Sequence, residues 1–123
     1  VPFNLEAWPD RIVERGLSPL RGVILAYPYC GVMSRARRDG WKHPAPVAFL
    51  LARDDLIADE TQCEALVADM QRRGLPVTAT TFEGVTHAFD QAERATLSPF
   101  EFSEAATAEA LARGRALLRS FER

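Results

Sequence analysis

Two carboxylates and one imidazole stand where a hydrolytic site would place them. Asp54 and Asp55 end the segment Val47-Ala48-Phe49-Leu50-Leu51-Ala52-Arg53-Asp54-Asp55. His87 lies in Glu83-Gly84-Val85-Thr86-His87-Ala88-Phe89-Asp90, just past Val77-Thr78-Ala79-Thr80-Thr81-Phe82. Each segment follows a run that reads as a strand, so the acid and the histidine both fall at strand ends. A carboxylate that holds one ring nitrogen fixes the tautomer and leaves the other nitrogen as a base. An ordinary imidazole pKa of about 6.5 suits it to take and return a proton near neutrality. The chemistry such a pair could serve is acyl transfer, with Asp54 a candidate acid and His87 a candidate base. Asp55 is an equal candidate by composition, and Asp59 is better explained as a helix cap.

Acyl transfer by this route also needs a nucleophile. The order acid, helix, histidine is that of the second and third members of a nucleophile-acid-histidine triad. No Gly-x-Ser-x-Gly or Gly-x-Cys-x-Gly elbow occurs in the 123 residues. Ser18 is followed by Pro19, which lacks the backbone N–H that an oxyanion hole takes from the residue after the nucleophile. Cys30, at a strand end, is the substitute candidate. Its plainer reading is a small buried thiol, mostly protonated at a free pKa of about 8.5.

The elements that must position these groups are legible as patterns. Val23 to Ala26 is a continuous apolar run, and Pro28 ends it because proline cannot donate to a sheet ladder. Val47 to Leu51 is apolar without alternation, as in parallel strands covered on both faces. Pro76 to Phe82 reads as a third strand. Between them, Asp59-Glu60-Thr61-Gln62 resembles a capping box. Cys63, Leu66, Val67 and Met70 then repeat at i, i+3, i+4 and i+7, one apolar helical face. Gly74 stands where a glycine stops a helix.

A short helix at about 9–15 fits Pro9 and Gly16. Residues 31–45 and 83–102 read as loops. Ser103 can cap a last helix to about Phe121, with Ala110, Leu111, Gly114, Leu117, Leu118 and Phe121 on its apolar side. The span 46–82 is a β-α-β unit, expected to make a right-handed parallel crossover. With no repeat or linker, residues 1–123 are expected to form a single unit. Three buried-type strands leave an open sheet edge. More sheet is therefore expected, from sequence outside this chain or from a partner chain, a second copy included.

Composition narrows the partners. Charged residues make up 26% and the net charge is −2, so nothing in the balance favours nucleic acid or an anionic membrane. The run Arg35-Ala36-Arg37-Arg38 reads as a solvated loop, its charge balanced by acids elsewhere. No stretch approaches the roughly 20 apolar residues that span a bilayer. No close Cys/His cluster has metal-ligand spacing, and no metal is expected. Cys30 and Cys63 lack framework spacing and read as buried thiols of a reducing, cytoplasmic compartment.

The segments Tyr27-Pro28-Tyr29-Cys30, Leu50-Leu51-Ala52-Arg53-Asp54-Asp55 and Glu83 to Asp90 together resemble the C-terminal half of the dienelactone hydrolase family, within the α/β-hydrolase superfamily. The likeness spans about residues 20–92. Its most specific piece is the His87-Ala88-Phe89-Asp90 loop, while Ala52 departs from the family's usual glycine. The resemblance implies a partial α/β-hydrolase fold, three-layer α-β-α with parallel strands: the last three strands and their helices. It implies Asp54 as triad acid and His87 as base, an ester or lactone substrate, and no cofactor. Tyr29, Cys30, Trp41 and Phe89 are candidates to line the pocket. Only 26 residues precede Tyr27, and none form the elbow, so the nucleophile is expected outside this chain. The competing reading is a non-catalytic binding or assembly domain that dimerises through its open sheet edge.

Overall fold

The computed structural model of the chain describes Gly16, residues 18–93 and residues 97–122. The helix expected at about 9–15 lies outside the described residues. Three parallel strands, β1 (Val23–Ala26), β2 (Val47–Ala52) and β3 (Val77–Phe82), pair in the order β1-β2-β3. Their register aligns Val23, Val47 and Val77 across the sheet. Among the described residues the helices are α1 (Arg35–Asp39), α2 (Glu60–Arg72) and α3 (Glu104–Phe121). The architecture is the expected three-layer α/β one.

Strand side chains alternate between the two faces. Val47, Phe49 and Leu51 join Leu25, Trp41 and Val77 against the buried stripe Cys63, Leu66, Val67 and Met70 of α2. Leu50, Ala52 and Phe82 face the other way, toward Val85, Phe89 and the α3 residues Ala106 and Ala110. All six residues of β2 are buried, which explains its unbroken apolar run. The edge strand β3 buries only its ends, Val77 and Phe82, and exposes Thr78 and Ala79.

Two local expectations are corrected. Residues 31–45 are not all loop, because Arg35–Asp39 forms a single short helix ended by Gly40 at φ +76°. Five residues are too few for an apolar period to show in sequence. The capping box before α2 does not form. Asp59 adopts a left-handed conformation, and its carboxylate takes the side chains of Thr61 and Gln62 rather than backbone N–H groups.

The other helix ends follow their residues. Gly74, at φ +74°, closes α2 with the paired bonds Leu75 N–H to Met70 C=O and Gly74 N–H to Gln71 C=O, a Schellman stop. Ser103 Oγ accepts the Ala106 N–H at the start of α3. At its other end the Arg21 guanidinium donates to the carbonyls of Phe121 and Glu122, a cation at a helix C-terminus. Gly22 lies against it, where a Cβ would collide with the Phe121 ring.

Candidate active site

The carboxyl ends of β2 and β3 carry two loops that are tied together. The Arg53 N–H donates to Phe82 C=O, and the Asp54 N–H donates to Val85 C=O at 3.1 Å. Parallel strands in register deliver the chain to the same height, so the acid loop and the histidine loop leave the sheet side by side. Arg53 reinforces the junction by reaching Glu60 and Glu64 on α2 and Glu83 after β3. Those carboxylates, Glu83 foremost, raise its pKa above the ordinary guanidinium value.

Across this junction His87 Nδ1 lies 2.7 Å from Asp55 Oδ2. The partner of the imidazole is Asp55, not Asp54 as expected. Asp55 is almost fully buried, and its other oxygen accepts the backbone N–H groups of Ile57 (2.9 Å) and Ala58 (2.8 Å). The side chain is thereby locked in an Asx-type turn before it meets the ring. Asp54 is exposed, although it lines the same small cleft as His87. The physical reason is the turn: it carries one acid inward, and two adjacent aspartates cannot both point there.

His87 is held on its faces as well as at Nδ1. Tyr27 lies edge-on to it at 5.2 Å, and the Phe100 ring is tilted against it at 5.4 Å. With the carboxylate as acceptor, Nδ1 carries the proton and Nε2 keeps its lone pair. Among the described residues Nε2 makes no hydrogen bond, and the side chain is 22% exposed. A ring fixed in tautomer and orientation, with its second nitrogen open, is equipped to remove a proton.

Backbone conformation singles out the same place. Three described non-glycine residues have positive φ: Tyr27, Asp59 and Ala88. Tyr27 packs on His87, and Ala88 follows it directly. Conformations that L-residues rarely adopt cluster where the surroundings over-determine a site. Burial first, and the neighbouring Asp90 carboxylate after it, push the Tyr27 phenol well above its ordinary pKa, so it stays neutral beside the imidazole.

The remaining candidates fall elsewhere. Cys30 is disulfide-bonded to Cys63 and both are fully buried, so the two free thiols expected from spacing are corrected to one bridge. A sulfur in a disulfide is no nucleophile, which removes Cys30 as a substitute. Trp41 is buried in the α2-side core, with its indole N–H donated to His43 C=O. Tyr29 is about half exposed. Phe89 packs behind Tyr27 and lines a groove of about 250 Å³ between the sheet and α3. None of the four lines the His87 cleft, which is formed by Asp54, Leu56, Thr86, Pro99 and Phe100 around the imidazole. Sequence reasoning missed Tyr27 and Phe100 as neighbours of the histidine. Tyr27 carried one signal, its place at the carboxyl end of β1.

Comparison with known proteins bears on the family and the fold. The family model described as "Dienelactone hydrolase family" matches residues 13–121. No curated protein matches the chain in sequence. Among solved structures, a dienelactone hydrolase-like promiscuous phosphotriesterase from metagenomic libraries superposes with TM-score 0.67 at 13% identity, over 85% of this chain and 44% of its own. Thermogutta terrifontis esterase 2, phosphonylated by cyclosarin, gives 0.62 at 16% identity, over 83% and 41%. A Pyrobaculum calidifontis esterase gives 0.60 at 18% identity, over 98% and 50%. At such identities the likeness is one of fold. The chain spans half or less of the length of these structures.

Proposed function

Because the chain belongs to the dienelactone hydrolase family, we propose that it supplies the base and the acid of an ester- or lactone-hydrolysing triad, His87 and Asp55, to a Ser or Cys nucleophile outside these 123 residues. The observation that carries the reading is the 2.7 Å contact between a locked, buried carboxylate and an imidazole whose other nitrogen is open. In this mechanism Nε2 takes the proton of the nucleophile as it attacks the acyl carbon. The imidazolium that forms is stabilised by Asp55 and returns the proton to the leaving oxygen. Water then repeats the sequence and frees the acid. No step needs a cofactor.

The disulfide favours an oxidising setting over the cytoplasm expected from composition.

The test is hydrolysis of an uncharged p-nitrophenyl ester by the native protein and by His87→Ala. The triad reading expects kcat/KM to fall about a thousandfold or more in the variant. Hydrolysis that survives within a few-fold, or a native protein that turns over no ester, contradicts it. Inactivity of the native protein would favour the binding or assembly domain.

A further inference from the structure

The wall that this chain builds around His87 has a chemical character of its own. The cleft beside the ring is small, about 20 Å³, and is lined by Leu56, Pro99 and Phe100 with Thr86 and Asp54. That is room for about one water, so any group that reaches Nε2 lies directly against these side chains. Leu56, from the acid loop, is 88% exposed, and Pro99 and Phe100 line the cleft from the histidine loop. Both loops therefore present apolar carbon toward whatever approaches the histidine. Exposed apolar groups rimming one cleft signify a binding surface more than scattered surface residues do.

The polar part of the wall is negative. Asp54 is displaced from the triad by Asp55, yet its exposed carboxylate shares the cleft with His87. Among the described residues of the two loops, 53–59 and 83–103, the one Arg or Lys is Arg53. Its charge is taken up by Glu60, Glu64 and Glu83. An anionic substrate group arriving beside the ring would lose water against Leu56 and Phe100 and face Asp54, and among the described residues of these loops no cation stands ready to pair with it.

We propose that this wall selects uncharged esters with apolar groups, and that Asp54 is a specificity residue that turns anionic substrates away from His87. The inference rests on the hydrolytic reading for its biology but not for its measurement. His87 can be probed by alkylation, which needs no nucleophile from elsewhere. The chain has two histidines, and His43 is buried, so peptide mass spectrometry resolves the reaction at His87.

Neutral iodoacetamide and anionic iodoacetate should be compared at His87, each relative to a free histidine peptide. The native protein is expected to favour the neutral reagent by about threefold to tenfold at low salt, and 0.5 M salt should narrow the preference. Asp54→Asn should bring the ratio most of the way back to that of the peptide. A native ratio equal to the peptide's, or one that Asp54→Asn leaves in place, overturns the proposal.

A matched pair of p-nitrophenyl esters, butyrate and hemisuccinate, carries the test to turnover. The butyrate is expected to lead in kcat/KM by about tenfold, with the ratio narrowing in Asp54→Asn. Equal turnover of the two esters overturns the proposal with the triad intact. Discrimination in alkylation without hydrolysis of either ester sustains the wall and counts against the triad instead.

Discussion

The two faces of the sheet are finished to different degrees. On one, α2 buries Cys63, Leu66, Val67 and Met70 against Val47, Phe49 and Leu51, and Trp41 and the Cys30–Cys63 bridge close the layer. On the other, α3 is longer by a turn and more, yet none of its residues is buried. Leu111 and Leu118 are more than half exposed, and a groove separates the helix from Ile24, Leu50 and Phe89. The edges differ in the same sense. β3 dresses its exterior with threonines, whereas β1 is Val-Ile-Leu-Ala and buries one residue of four. The amphipathic pattern of a helix thus predicts that it has an apolar side, and burial depends on what arrives to cover it.

That contrast has energetic consequences, the largest on the α2 side. Phe49 is fully buried between the sheet and α2, and Phe49→Ala is expected to cost about 3–5 kcal/mol. Urea denaturation would read this as a lowered midpoint, and a loss below about 1 kcal/mol would break the claim that this face holds the fold.

Reduction of the Cys30–Cys63 bridge comes next, at about 2–4 kcal/mol. The unreduced protein, denatured, should titrate no free thiols. Two thiols before reductant, with no change in midpoint after it, would remove the bridge from the account.

A pH-dependent effect follows from His43. Burial lowers its pKa from 6.5, and its Nδ1 accepts the Ala45 N–H, so the fold holds the ring neutral. Unfolding frees it to take a proton. Stability is then fully present above the unfolded pKa, about 6.5, and declines as the pH falls below it. His43→Asn should flatten that decline between pH 7.5 and 5.5, and an unchanged slope would contradict the assignment.

The smallest effect belongs to the open face. Leu118→Ala on α3 should stay within about 0.5 kcal/mol. A loss comparable to that of Phe49→Ala would show that α3 is packed after all and erase the comparison.

Much of this was legible in the residues. The apolar runs Val23 to Ala26 and Val47 to Leu51 and the Val/Thr-rich run Pro76 to Phe82 marked the three strands to within a residue at each end, and the i, i+3, i+4, i+7 stripe from Cys63 to Met70 declared both α2 and its buried side. The histidine loop was legible too, from His87 and its neighbours.

What escaped depends on contacts distant in sequence or on a single turn. Cys30 and Cys63 are 33 residues apart, and nothing local shows that the loop after β1 passes over the first turns of α2. The choice between Asp54 and Asp55 hangs on which residue the turn sends inward, and the two N–H groups that anchor Asp55 come from the backbone, whose donors look alike in any sequence. Phe100 reaches His87 from 13 residues downstream through a loop with no periodicity. The exposure of α3 is invisible in principle, since a helical stripe looks the same covered or bare.

The central claim, that Asp55 and not its neighbour completes the pair with His87, is tested most directly by comparing Asp55→Asn with Asp54→Asn in hydrolysis of an uncharged p-nitrophenyl ester by the native protein. Loss of the acid that sets the tautomer is expected to lower kcat by about 10⁴. That loss is expected for Asp55→Asn, and a change within about tenfold for Asp54→Asn. A collapse confined to Asp54→Asn would contradict the claim.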